Sequence, residues 1–321
     1  MLTIATQILG IFVIIGIGVF ATRQKWFSQD FSTQLSLLLI RVFYPCLLFS
    51  SILRKYTLDK LAEQWVLPAG AAGIILIGWS VGWLAKRTLV RHIKAPTRRA
   101  FHFTCTMNNY SFVPIMIIAG TPLGEEGIAM VALTTIASDT LMWTLAFRTF
   151  TGKKLNLKTL PSMLLRPPIL ALLLAISCLI VFHFFAITPE TLTSCQFTKV
   201  MLNTLYTYLG NATIPASALV CGMRLGQLRL TGLFTYPQLV VTTLRMIVIP
   251  AIILTLLYIL PLTDAQRFVF GVIALMPGAM VSVSMAEVYG GDIPFISAMI
   301  LNTHALCIIT VPIGLWLLGS C

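Results

Sequence analysis

Ten long apolar runs, each close to the length of a membrane-crossing helix, fill this chain and leave only short polar connections between them. A helix needs about 20 residues to cross roughly 30 Å of hydrocarbon. The runs lie at 3–22, 31–53, 65–85, 98–120, 127–148, 167–187, 196–222, 236–260, 266–288 and 293–318. They are continuous rather than alternating, which argues against β-barrel strands. Charged residues are only 10% of the chain against 58% apolar, too few to coat a soluble surface. The expected fold class is an all-α polytopic membrane protein with ten transmembrane helices.

The net charge of +12 raises the question of nucleic acid, and the placement of the charges answers it. Successive connections fall on alternate sides of the membrane. Fifteen basic residues lie in the connections around 23–25, 86–99, 148–166 and 224–229, and five lie on the opposite side at Arg54, Lys55, Lys60, Lys199 and Arg267. The positive-inside rule puts the richer side in the cytoplasm and both termini outside, in the periplasm of a cell inner or plasma membrane. Basicity is thus an address on the bilayer, and nucleic acid is not an expected partner. No charge precedes the apolar run at 3–22, so the run reads as a mature first helix rather than a cleaved signal. Seven cysteines are scattered without C-x-x-C spacing and read as packing residues, with no metal site.

The longest basic connection divides the chain into a first five-helix repeat at 1–150, a connection at 151–166 and a second five-helix repeat at 167–321. Five is odd, so the second set enters the bilayer inverted, a plan used by many secondary transporters. The prolines agree with a repeat: Pro45 in span 2 answers Pro215 in span 7, and Pro114 in span 4 answers Pro277 in span 9. A midspan proline removes a backbone donor and frees a carbonyl, which lipid tolerates only where protein or water covers it. Spans 4 and 9 are therefore expected to be broken helices that cross near midmembrane. Each second half-helix should start near its proline and present its positive end to an anion.

The polar residues inside the spans sort around this crossover. Asn108 and Asn109, ahead of Pro114, can bind a carboxylate or replace missing helix hydrogen bonds. Ser111 lies in the same stretch, and Asn211 has a matching place ahead of Pro215. Tyr44 offers a hydroxyl to the cavity or packs as an interfacial tyrosine. Asp139 in span 5 and His304 in span 10 are candidates for coupling transport to a proton or ion, with interhelical struts as the alternative. Arg41 and Arg245 read more simply as structural arginines that snorkel toward an interface than as anion partners. Glu287 and Asp292, at the cytoplasmic end of span 9, read as a solvated turn, with the lining of a gate as the alternative. No Walker loop, H-E-x-x-H or G-x-S-x-G motif is present, so no enzyme activity and no bound cofactor are expected.

These motifs resemble the auxin efflux carrier family of membrane transport proteins, within the bile-acid/arsenite/riboflavin transporter group. Asn109-Tyr110-Ser111-Phe112-Val113-Pro114 is similar to that family's Asn-Tyr-Gly-Phe-x-Pro segment, and Gly124-Glu125-Glu126-Gly127 to the Gly-x-Glu-Gly turn after it. Thr213-Ile214-Pro215-Ala216 with Gly222, and Met276-Pro277 with Tyr289, Gly290 and Asp292, resemble its second half. The resemblance spans essentially the whole chain. It implies two inverted five-helix repeats, an elevator-like cycle and small organic anions such as malonate or malate as substrates. Asn108 and Ser111 stand where the family usually has glycine, which makes the crossover backbone less free and more polar. A passive anion channel and a nontransporting membrane sensor are the rival readings. The expected partners are the organic anion and the lipid bilayer, with a homodimer as an option.

Overall fold

The computed structural model describes residues 2–152, 165–185, 187, 196–228 and 232–319, and all regular structure among them is helical. The basic connection 151–166 lies mostly outside the described residues. In chain order the helices are α1 (Leu2–Arg23), α2 (Gln29–Leu38), α3 (Tyr44–Lys55), α4 (Leu58–Glu63), α5 (Val66–Thr88) and α6 (Ala95–Thr106). Then come α7 (Phe112–Ala119), α8 (Gly124–Leu141), α9 (Phe147–Thr151), α10 (Pro167–Phe184), α11 (Gln196–Thr204) and α12 (Thr213–Gln227). The chain closes with α13 (Tyr236–Thr243), α14 (Ile249–Ile259), α15 (Asp264–Ala274), α16 (Val281–Tyr289) and α17 (Ile293–Gly319).

Several of these pieces join end to end. A π turn at Leu39–Phe43 links α2 to α3, and others at Leu205–Gly210, Met142–Ala146 and Leu244–Val248 precede α12, α9 and α14. Two of the four end two residues ahead of a proline, Pro45 and Pro250. A proline ring clashes with the carbonyl four residues back and donates nothing, so one widened turn accommodates it without ending the helix. Six helical stretches are long and apolar enough to cross a membrane, at Asp30–Lys55, Leu58–Thr88, Gly124–Thr151, Pro167–Phe184, Tyr236–Ile259 and Ile293–Gly319. The expected spans 4, 7 and 9 are each split into shorter helices, and span 1 is α1.

The helices pack as two groups. In the first, α1 lies along α12 while α3 packs on α10 and on the π turn before α12. The α1–α12 contact depends on glycine: a Cβ on Gly222 would stand 2.0 Å from the Ile15 carbonyl oxygen, and one on Gly18 would stand 2.6 Å from that of Leu219. Bare glycine faces let the two backbones meet, the usual device where lipid gives no hydrophobic drive to helix pairing. In the second group, α5 packs on α6 and α8, α14 packs on α15, and α17 packs on α13, α15 and α16. Contacts of α3 with α8 and of α12 with α7 join the groups.

The centre of the second group holds two broken helices. The chain leaves helix after Thr106 and re-enters it at Phe112; it leaves again after Ala274 and re-enters at Val281. The two breaks pair as a single antiparallel bridge, Asn108 opposite Gly278. Asn109 N–H donates to the Pro277 carbonyl (2.8 Å) and Ala279 N–H to that of Met107 (3.4 Å). Gly278 N–H donates to Thr303 Oγ1 (3.2 Å), so α17 completes the join. Backbone freed from one helix is thereby satisfied by the other.

Two expectations change here. Pro114 is the third residue of α7, as a first-turn proline should be, but Pro277 lies inside the other break, four residues ahead of α16. It faces Asn109 and is not the counterpart of Pro114, because the breaks themselves, not the prolines, are what pair. Arg245 does not snorkel. It is 1% exposed, and its Nη2 donates to the Ala274 carbonyl (3.0 Å) and its Nη1 to that of Cys105 (3.4 Å). Those carbonyls belong to the last turns of α15 and α6, the electronegative ends of both first half-helices, and the guanidinium serves as a shared cap.

Candidate functional site

A cavity of about 740 Å³ opens between the two helix groups, beside the crossover. The first group supplies Arg41, Tyr44, Ser217 and Arg224 to its wall; the second supplies Asn108 to Val113, Asp139, Trp143 and the start of α16. Both second half-helices thus present their N-terminal ends to the same space. Among the described residues the N–H groups of Phe112, Val113 and Val281 make no hydrogen bond, and neither Ser111 nor Met280 caps its helix with a side chain. Unsatisfied N–H groups at helix starts form a ready anion seat.

The two asparagines divide the roles left open for them. Asn108 is 1% exposed, and its Nδ2 donates to the Ile273 carbonyl, so its carboxamide repairs helix backbone. Asn109 is 8% exposed, and its carboxamide has no hydrogen-bond partner among the described residues while lining the cavity. Its polar atoms open onto that space, so the carboxamide is available to both donate to and accept from a bound ligand. The Tyr44 hydroxyl is buried beside Thr135 and Ser111 without a hydrogen bond of normal geometry. It too can turn to a ligand.

Asp139 reaches the cavity from α8, and its Oδ1 accepts a short hydrogen bond from the Tyr110 hydroxyl. Tyr110 was not singled out from the sequence, although it sits inside the stretch that marked the break. Arg166 was counted only as a loop charge. It stands on the rim immediately before α10, with its guanidinium 3.7 Å above the Trp143 ring and within electrostatic range of Asp139. Its adjacency to Pro167-Pro168, a helix start, was the signal for a fixed arginine. Arg41 and Arg224 share that lining with Glu287, so three guanidiniums meet two carboxylates.

The remaining expected residues lie elsewhere. Pro114 and Pro277 shape the frame and are not in the cavity wall. Asn211 is exposed at the junction before α12. His304 is buried in α17 outside the lining; its Nδ1–H donates to the Ile300 carbonyl (2.9 Å), and its Nε2 has no hydrogen-bond partner among the described residues. Asp292 is not simply solvated: Thr97 donates to one carboxylate oxygen, and the other accepts from Phe295 N–H (3.0 Å), capping α17. Among the described residues no cluster of His, Cys, Asp and Glu is arranged for a metal ion.

Set against known proteins, the chain matches a family model described as "Membrane transport protein" over residues 3–315. No curated protein matches it.

Proposed function

The chain belongs to the auxin efflux carrier / membrane transport protein family, and from that premise we propose that it is a secondary transporter carrying a small organic anion across the plasma membrane by alternating access. The substrate in this reading is a mono- or dicarboxylate such as malonate or malate. The observation that carries it is the cavity between the helix groups, where an unpartnered Asn109 carboxamide and two helix starts face a rim bearing Arg41, Arg166 and Arg224. Guanidinium forks match carboxylate geometry, and the free N–H groups at the two helix starts add further donors. The volume falls within the range of about 300–1,000 Å³ usual for ligand pockets.

The ten-span inverted repeat belongs to the same proposal, with both termini outside. Its support is the reciprocity of the packing: α1 lies on the broken span that ends in α12, as α10 lies on the span that contains α3. The crossover likewise joins one break from each half. A first group held by glycine contacts and a second built around the crossover, with the cavity between them, suit a cycle in which one group moves against the other. Asp139 is the proposed proton or ion acceptor, since it touches the cavity.

Proteoliposomes loaded with labelled malonate or malate test this directly. Saturable flux that falls at least tenfold in Asn109→Ala, with an unchanged melting temperature, is the expected result. Unchanged flux in that variant sinks the site; flux that never saturates selects a channel, and binding without flux a sensor.

A further inference from the structure

Another cavity lies at the far end of the α5–α6 hairpin and has no part in the reading above. It encloses about 460 Å³, and its wall is Lys86, Arg87, Arg91, Arg98 and Arg99 with Ala95. Five cations and no carboxylate converge on it. None of the five takes part in an ion pair among the described residues; the three pairs present are Arg54 and Lys55 with Glu125, and Arg267 with Asp264. Their contacts are with neutral groups. Lys86 Nζ meets His102 Nδ1 (2.8 Å), the Arg87 guanidinium lies 4.0 Å over Trp83, Arg91 Nε donates to His92 (2.7 Å), and Arg98 donates to the Arg91 carbonyl (3.3 Å). Arg99 Nε is buried with no hydrogen-bond partner among the described residues.

A topological address requires only that charges lie on one side of the bilayer. It does not require them to share a cavity, where they repel one another. The N-terminal end of α6, with Pro96 in its first turn and no side-chain cap from Lys94, adds a positive backbone dipole to the same place. Exposed Trp83, Leu84 and Leu89 flank it, the composition of a surface at the edge of hydrocarbon. We propose that this cavity binds a phosphate group, presented either as the headgroup of an anionic lipid in the adjacent leaflet or as a soluble phosphate. The forked donors of four arginines and the point charge of Lys86 fit a tetrahedral oxyanion, and an apolar flank suits an acyl chain beside it.

Thermal melting of the full-length protein separates the two sources. One arm titrates inorganic phosphate into detergent-solubilised protein against chloride at equal ionic strength. The other compares nanodiscs of phosphatidylcholine with nanodiscs containing phosphatidylglycerol. The variants are wild type, the double substitution Arg98→Gln/Arg99→Gln, and Arg148→Gln as a charge control on the same side but outside the cavity. The expected result is stabilisation of wild type and Arg148→Gln by a phosphate-bearing ligand, weakened at least tenfold in apparent affinity in the double variant. A response to phosphatidylglycerol alone assigns a lipid headgroup, and a response to both assigns phosphate itself. No response to either, or an equal response in the double variant, overturns the proposal. If the double variant fails to fold, Arg91→Gln carries the same comparison.

Discussion

Replacing Gly222 with alanine probes the tightest glycine contact among the described residues. The added Cβ would stand 2.0 Å from the Ile15 carbonyl oxygen, 2.9 Å from the Ile15 carbonyl carbon and 3.0 Å from Gly18 Cα. All three neighbours are backbone atoms of α1, so no rotamer change relieves the clash. Restoring ordinary contact requires the helices to part by about 1 Å, a gap that forfeits roughly a quarter to a half of each dispersion contact across it. The expected cost is about 1–3 kcal/mol, the range for overpacking a filled interior. Gly10→Ala is the control, because nothing lies within 4 Å of a Cβ there. Alanine gains up to about 1 kcal/mol of helix propensity over glycine at both positions, so the difference between the variants isolates the clash. Equilibrium unfolding by SDS in mixed micelles, followed by tryptophan fluorescence, reads that difference. Equal midpoints for Gly222→Ala and Gly10→Ala would refute the close packing of α1 on α12.

Two further outcomes concern the crossover and its cavity. Arg245→Lys keeps the charge but not the fork, so one of the two carbonyl bonds should be lost at about 1.5–3 kcal/mol, seen as a lower melting temperature; a melting curve that overlays wild type means the shared cap carries no stability. Asp139→Asn preserves size and an acceptor for Tyr110 while removing titration. Transport by this variant should lose its dependence on pH, and a wild-type pH profile would move the coupling role away from this residue.

Much of the frame could be read from residue order because it depends on local chemistry. Long uncharged runs signal helices in lipid, and Asn108-Asn109 ahead of Pro114 signals a break whose backbone must be satisfied elsewhere. What satisfies it was not legible in the same way. Matching Pro114 to Pro277 assumed that proline marks the break in both halves, whereas the main-chain pairing of Asn108 with Gly278 places Pro277 opposite Asn109. Arg245 looked like any arginine within reach of an interface; its burial follows from two helix ends, about 30 and 140 positions away in sequence, meeting at one point. Tyr110 with Asp139, and Arg166 over Trp143, are likewise contacts between helices that no spacing along the chain encodes.

The single rung between Asn108 and Gly278 has a consequence for how specificity can change. It is made of main-chain atoms, so, the Asn108 carboxamide on Ile273 apart, the frame that aims both helix starts at the cavity does not depend on which side chains line that cavity. Tyr44, Asn109, Ser111 and the rim arginines can therefore be exchanged without dismantling the join. A chain built this way can keep its machinery while its cargo drifts, and redesign of the lining is the natural route to a carrier for a different acid.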